Sequence, residues 1–379
     1  FLRSNNQKKL VWIHAASIGE TQSMFPIIKK LNEQNKNLEF LITTVTLSAR
    51  NLIKNELSKF PNIIHKFFPL DVSFLVSKFL DYSKPDLIIF VDSEIWPNFI
   101  LEIKKRNIKS VIINGRITKK TFQKWMLVQN FAKTVFNTFD LCLASSRSSQ
   151  EYLKILNAKN LKYIGNIKLS DTLNSENIIN ENEKILSQKR FWCAASTHDG
   201  EEIFCLKTHI NLKKIYKDII TIIIPRHIAR TKSIQQLFVN YKLTTQILNE
   251  GELIQSDKEI IIINSFGVLP KFFKYSKSVF IGKSLLKRFK QIGGQNPIQA
   301  AQLGCKIYHG PFVYNFSEIY DFLKSYKITK KINNEIDLSD NLINDLKDYR
   351  KKINGQSKVI SILGEKILSE TIKEINKIL

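Results

Sequence analysis

Three polar loops of this 379-residue chain carry side chains suited to proton transfer or charge stabilisation, and each follows an apolar run. Glu20 closes Leu10-Val-Trp-Ile-His-Ala-Ala-Ser-Ile-Gly-Glu20. A carboxylate there is a candidate for a chemical role, because ligands bind beyond the carboxyl ends of such strands. The same Ser17-x-x-Glu20 spacing fits a capping box, with Ser17 as N-cap and Glu20 at N3. Glu94 follows Leu87-Ile-Ile-Phe-Val91 in Asp92-Ser-Glu-Ile-Trp-Pro97. A carboxylate at the exit of a buried strand must be paired or functional, because burying it alone is costly. Lys168, in Gly165-Asn-Ile-Lys168, can neutralise developing negative charge.

A second set suits anions. Pro225-Arg226-His227 puts a guanidinium, which matches phosphate or carboxylate in a bidentate way, at a strand end. Ser196-Thr-His-Asp-Gly200 offers His198 to phosphate, with Ser196 or Thr197 as a helix cap. Gly293-Gly-Gln-Asn-Pro-Ile-Gln299 places Asn296 as N-cap, Pro297 at N1 and Gln299 at N3 of a helix. Free N–H groups at such a start favour phosphate, and an unliganded, well-capped helix fits equally. The six histidines are dispersed and no cysteine pair has C-x-x-C spacing, so no metal site is expected. Four widely spaced cysteines suit free thiols in a reducing compartment.

The elements that must hold these loops alternate. Apolar strands at residues 10–13, 38–43, 63–68, 87–91, 110–114 and 141–144 are interleaved with amphipathic segments, and 163–169 closes the half. After a polar linker the pattern restarts, with strands at 191–195, 219–224, 259–263, 278–281 and 306–308. Such alternation gives parallel, doubly wound sheets. The division expected is a first Rossmann-like domain over residues 1–172, a linker over 173–188, a second domain over 189–355, and a helix over 356–379 packing back on the first. Residues 119–139 read as one helix interleaving aromatics with lysines, facing a core or a bilayer surface.

The formal net charge is +24, from 58 basic and 34 acidic residues. That excess suits an anionic membrane or a phosphorylated substrate. No nucleic-acid-binding motif is present and the aromatics sit at core spacing, so nucleic acid is not the expected partner. No run of 18 apolar residues occurs. The chain begins at Phe1, and a preceding N-terminal segment is expected.

Taken in order, the loops resemble those of the 3-deoxy-D-manno-octulosonic acid (Kdo) transferases. The matching stretches are Trp12 to Glu20, Ser93-Glu-Ile-Trp-Pro-Asn98, Asn114-Gly-Arg116, Gly165-Asn-Ile-Lys168, Ser196 to Glu202, Pro225-Arg-His227, Gly293-Gly-Gln-Asn-Pro297, and Gly310-Pro311 with Asn315-Phe316. The resemblance implies an α/β GT-B glycosyltransferase fold, two Rossmann-like lobes facing a cleft. It implies inverting transfer of Kdo from CMP-Kdo to a lipid A precursor, with no metal or cofactor, at the cytoplasmic face of an inner membrane. It makes Glu20 the base, and Glu94 and Lys168 the groups supporting the transition state. It makes Pro225, Arg226, Gly267, Val268, Leu269, Asn296, Pro297, Ile298 and Gln299 the contacts of CMP. Three positions depart from the family pattern: Gln299 stands for a usual Glu, Lys283 for a usual Gly, and Val268 for a common acidic residue. Another GT-B glycosyltransferase, or a non-catalytic basic protein that binds anionic lipid, would share many of these features.

Overall fold

The computed structural model describes residues 8–56, 60–171, 176, 178–349 and 356–379. It divides into two units, Phe1–Asp171 with Ile362–Leu379, and Thr172–Ser361.

The first unit is built on seven parallel strands: β1 Lys9–His14, β2 Leu38–Thr44, β3 Ile63–Phe67, β4 Leu87–Val91, β5 Lys109–Gly115, β6 Leu141–Ala144 and β7 Leu161–Tyr163. Their order is β3-β2-β1-β4-β5-β6-β7. The central strands are wholly buried because helices cover both faces, which is why they read as unbroken apolar runs. Trp12, Phe90, Phe99, Phe136 and Phe139 fill one core layer. The chain leaves β1 toward β2 and returns to β4 on the other side, so the loops after β1 and β4 diverge and leave a crevice at the sheet's carboxyl edge.

The second unit repeats the plan. Its strands are β8 Phe191–Thr197, β9 Ile220–Pro225, β10 Thr245–Leu248, β11 Ile260–Ile263, β12 Ser278–Ile281, β13 Lys306–His309 and β14 Thr329–Lys331, in the order β10-β11-β9-β8-β12-β13-β14. The switch point here lies between β8 and β12. Trp192, Phe238, Phe280 and Tyr308 anchor a core of its own.

The structure alters several expectations. Strands β10 and β14 were not signalled by the sequence; both are sheet edges, half open to solvent and without a continuous apolar run. Residues 163–169 are not one element, since β7 ends at Tyr163 and a 3₁₀ turn, Ile167–Leu169, carries Lys168. Residues 119–139 form two helices, Lys119–Met126 and Gln129–Phe136. The first ends in tight i→i−3 bonds from Leu127 and Val128, and Val128 leaves helical geometry at φ −126°, ψ 48°. Ala132, Val135 and Phe136 enter the core, while Leu127 is 85% exposed. Of the expected linker, residues 173–175 and 177 lie outside the described residues. Asn180 and Asn182 are buried and bonded to the carbonyls of Lys271 and Glu252, and Glu183–Gln188 is helical, so this stretch is built into the second unit.

The last helix, Gln356–Ile375, belongs to the first unit from Ile362 onward. It sits so close to the Lys168 turn that a Cβ on Gly364 would come within 2.2 Å of the Leu169 carbonyl oxygen.

Candidate active site

The switch point of the first unit gathers three carboxylates. Glu20 lies in the first turn of the helix Ile18–Gln34, and the capping box is present in full. Its Oε2 accepts the Ala16 N–H at 2.7 Å and its Oε1 accepts the Ser17 hydroxyl at 2.7 Å. Ser17 Oγ in turn accepts the Glu20 N–H at 3.5 Å. Burial pushes the Glu20 carboxyl above its ordinary range. The Ser17 hydrogen bond pulls it down, the charges of Asp92 and Glu94 push it up again, and the Ala16 N–H opposes them. The cap therefore does not compete with a chemical role. It fixes where the carboxylate points, beside two other acids that raise its proton affinity.

Glu94 is held from the opposite side of the crevice. Its Oε2 accepts the Trp96 indole N–H at 2.9 Å and lies 3.2 Å from His14 Nε2. His14 is fully buried and stacked on Phe68 at 3.7 Å between ring centroids. Its Nδ1 meets Thr43 Oγ1 at 3.0 Å, and that hydroxyl accepts the Trp12 indole N–H at 2.8 Å. Nδ1 also lies 3.1 Å from the Thr43 carbonyl oxygen and Nε2 faces the Glu94 carboxylate, so each ring nitrogen has an oxygen acceptor within reach. A chain of bonds from Trp12 to Trp96 sets the rotamer of Glu94.

Lys168 pairs with Asp92, not with Glu94: Nζ lies 2.5 Å from Asp92 Oδ2. Asp92 is nearly buried and sits in the left-handed region at φ 67°, directly after β4. Asn114, at the end of β5 with φ 55°, ties the two together. Its Oδ1 accepts the Ile167 N–H at 3.1 Å and its Nδ2 lies 3.5 Å from Asp92 Oδ2. Asp92, His14 and Asn114 received no role from the sequence. The signal available for Asp92 was its place immediately after five buried apolar residues; its partner is 76 positions away.

In the second unit, Glu201 organises the switch point. It is fully buried. Its Oε2 accepts the N–H groups of Lys283 at 2.7 Å and His198 at 3.0 Å, and its Oε1 those of Ser284 at 2.9 Å and Leu285 at 3.1 Å. Burial pushes its carboxyl up and the four backbone donors pull it down. One side chain thereby splices the loops after β8 and β12. The expected Ser196 or Thr197 cap is not used: the helix Glu201–Ile215 starts after Gly200, at φ 85°, with no side-chain cap. Gly282 must lack a side chain, because a Cβ would come within 2.6 Å of the Ser196 carbonyl oxygen.

Around that splice stand basic groups. Arg226 and His227 are exposed just after β9, and the Arg226 guanidinium is not ion-paired among the described residues. The His198 and His227 rings lie 5.6 Å apart. Burial lowers the His198 proton affinity, its bond to the Ser196 carbonyl raises it, and Lys283, His227 and Arg226 lower it further. Pro225 is buried as the last residue of β9. Gly267, Val268 and Leu269 follow β11, with Gly267 at φ 76° and Val268 buried at the head of a short helix. Asn296 Oδ1 accepts the Ile298 N–H at 3.0 Å, and the helix Ile298–Gln302 starts at Ile298, with Pro297 at its cap position and Gln299 inside it. That start lies one residue later than the sequence indicates, although Asn296 still supplies the capping oxygen.

The comparisons with known proteins bear on both units. The family model described as "3-Deoxy-D-manno-octulosonic-acid transferase (kdotransferase)" matches residues 1–171. A 3-deoxy-D-manno-octulosonic acid transferase of Rickettsia typhi is 32% identical over 347 residues, 90% of this chain and 72% of that protein. The chain belongs to the 3-deoxy-D-manno-octulosonic acid transferase family. It is a glycosyltransferase. The Aquifex aeolicus Kdo transferase is 28% identical over 359 residues, 95% of this chain and 92% of that protein. Among solved structures, a glycosyltransferase from Rickettsia africae matches with a TM-score of 0.61 at 14% identity, covering 99% of each chain. A UDP-GlcNAc 2-epimerase from Neisseria meningitidis bound to UDP-GlcNAc gives a TM-score of 0.61 at 14% identity, covering 95% of this chain and all 100% of that one. These likenesses establish the GT-B fold.

For a Kdo transferase, Lys283 now has a structural setting. It sits at φ 55°, a conformation that costs a side-chain-bearing residue roughly 1–2 kcal/mol and that glycine adopts freely. Its N–H is held by Glu201, so the turn keeps its shape with lysine in place.

Proposed function

We propose that this chain transfers Kdo from CMP-Kdo to a lipid A precursor with inversion, without a metal or cofactor, at the cytoplasmic face of an inner membrane. The observation that carries the reading is the Glu20 carboxyl, oriented by its own helix cap and made a better proton acceptor by burial and two neighbouring acids. In this reading the first unit binds the acceptor and the second binds the donor. Glu20 takes the proton of the acceptor hydroxyl as that oxygen attacks the anomeric carbon of Kdo. The bond from that carbon to the CMP phosphate oxygen breaks, and the electron pair leaves with the phosphate. One displacement inverts the configuration.

Glu94 and the Asp92–Lys168 pair support the transition state, Lys168 by its charge and Asp92 by holding Lys168 in place. Arg226, with Pro225, Gly267 to Leu269 and Asn296 to Gln299, forms the CMP contacts, and the leaving phosphate suits Arg226 and the basic groups beside it. The net charge of +24 suits an anionic donor, a phosphorylated lipid and an anionic membrane surface. A non-catalytic basic protein would have no need of a part-buried Asp–Lys pair beside a carboxyl of raised proton affinity.

The test is CMP release from CMP-Kdo with a lipid A precursor. Glu20→Ala is expected to lower kcat at least about 100-fold, as loss of a general base does, with CMP binding by calorimetry unchanged. Full activity in that variant would remove Glu20 as base. Arg226→Ala is expected to weaken CMP binding about tenfold without disturbing the fold.

A further inference from the structure

The donor of the proposed reaction carries two anions on one carbon. Its anomeric carbon bears the phosphate that leaves and the carboxylate of the sugar acid itself. Arg226 suits one of them. A second cation stands at the carboxyl edge of the same sheet, and the roles of Glu20, Glu94, Lys168 and Arg226 leave it unused. Lys283 follows β12 and Gly282, and its backbone is held on both sides. The N–H donates to Glu201 Oε2 at 2.7 Å, and the carbonyl accepts the Gly294 N–H at 2.7 Å. The second bond joins Lys283 to the loop before Asn296 so closely that a Cβ on Gly293 would come within 2.8 Å of the same carbonyl oxygen.

Only the side chain is left free. Among the described residues the Lys283 ammonium has no ion-pair or hydrogen-bond partner. The acids of the neighbouring loop are occupied. Glu201 is taken by four backbone N–H groups, and Glu202 and Asp199 by Arg230. Groups of the same sign lie close instead. Burial lowers the proton affinity of His198, and Lys283, His227 and Arg226 lower it further. Cations gathered at a strand end without a free acid favour an anion among them.

The backbone adds a second observation. Lys84, Lys242, Lys283 and Lys327 all sit in the left-handed region. Lys84, Lys242 and Lys327 come just after the ends of helices, where a left-handed residue is usual. Lys283 comes after a strand, in a conformation that glycine adopts without strain. A charged side chain kept at a strained position on the carboxyl edge of a sheet points to a use for its charge.

We propose that Lys283 binds the carboxylate of the donor sugar, which leaves Arg226 to the phosphate on the same carbon. The assignment rests on the reading of the second unit as the donor side. Lysine is a compact point charge that can meet one carboxylate oxygen, while the guanidinium fork takes the phosphate. Two cations on two anions fix the rotation of the anomeric carbon. A nucleotide sugar without a carboxylate gains nothing from Lys283, so the residue selects for acidic sugars.

The test is calorimetric binding of CMP-Kdo and of CMP, which lacks the sugar carboxylate, to the full chain and to three variants. Lys283→Met removes the charge and keeps a long side chain at the same backbone angle. Lys283→Gly removes charge and strain together, and Lys283→Arg restores the charge. Circular dichroism checks each fold, and the glycine variant is expected to melt no lower than the wild type. In the methionine and glycine variants Kd for CMP-Kdo is expected to rise about tenfold while Kd for CMP stays within about twofold, and arginine is expected to recover most of the loss. In turnover, KM for CMP-Kdo rises by a similar factor and KM for the lipid acceptor does not. Equal weakening of CMP and CMP-Kdo overturns the assignment and places Lys283 on the phosphate. No weakening of either overturns it as well and leaves a solvated lysine. A wild type that binds neither nucleotide removes the donor reading and the carboxylate contact with it. If the selective loss is seen but no Kdo is transferred, the contact stands and the reaction assignment fails; transfer without the selective loss removes the contact alone.

Discussion

Glu20 caps its helix with the same carboxylate that the proposed reaction uses as base, and the pH dependence of that reaction is where the two demands separate. A base must be ionised to accept a proton. Because the folded Glu20 holds its proton more tightly than a free glutamate, kcat/KM is expected to fall as pH drops through a value above the usual carboxylate range of about 4.3. Asp92→Asn removes one of the two repulsions and is expected to move that acid limb to lower pH. It also frees Lys168, so kcat at neutral pH is expected to drop about tenfold. A limb that stays in place in the variant would show that Asp92 does not act on the titrating group. Glu20, Glu94 and Lys168 were legible as candidates because each lies in a polar loop of the alternating pattern. Asp92 was not assigned a role, because a pairing between residues 92 and 168 exists only once β4, β5 and the 3₁₀ turn are in place.

Among the elements, the loops after β8 and β12 owe their shape to a single buried carboxylate. Glu201→Ala would leave four backbone N–H groups without acceptors, and the expected cost is on the order of 3 kcal/mol or more, read from chemical denaturation. Glu201→Gln keeps the volume but aims an amide N–H₂ at two of those donors, so it is expected to be destabilised nearly as much. In the first unit, Gly364→Ala would drive a methyl group against the Leu169 carbonyl. The expected penalty is roughly 1–3 kcal/mol, with kcat reduced as well, because the displaced turn carries Lys168. Unchanged stability would mean that helix and turn move apart freely. The central strands were legible from their apolar runs. The edge strands β10 and β14 and the break near Val128 were not, because edges are half solvated and the break lies inside a continuous amphipathic pattern.

For the molecule as a whole, the chain completes its first unit with its last residues. Ile367, Ile372 and Ile375 are buried, Lys162 binds Glu374 at 2.6 Å, and Ile367 lies against Gly165 in the loop before Lys168. Removing residues 362–379 is expected to lower the unfolding temperature of the first unit, at a cost of about 1.5–3 kcal/mol for each isoleucine uncovered. The transition of the second unit, with a sheet and core of its own, should be unaffected; calorimetry separates the two. The basic excess makes a further prediction. Sedimentation with vesicles should require anionic lipid and weaken as salt rises, since screening acts on exposed charge. Among the described residues no helix is long and apolar enough to cross a membrane.

By itself the sequence determined the repeated strand–helix alternation, and with it two parallel sheets, because buried strands and amphipathic helices have different apolar periods that survive in any context. It also determined which loops gather at the carboxyl edges of the sheets, because polar side chains placed directly after buried strands emerge there. Tertiary structure alone decided the partners. Lys168 joins Asp92, His14 meets Glu94, and Glu201 splices two loops. Each pairing depends on strand order, which is fixed by the packing of the whole sheet and leaves no local trace in the chain.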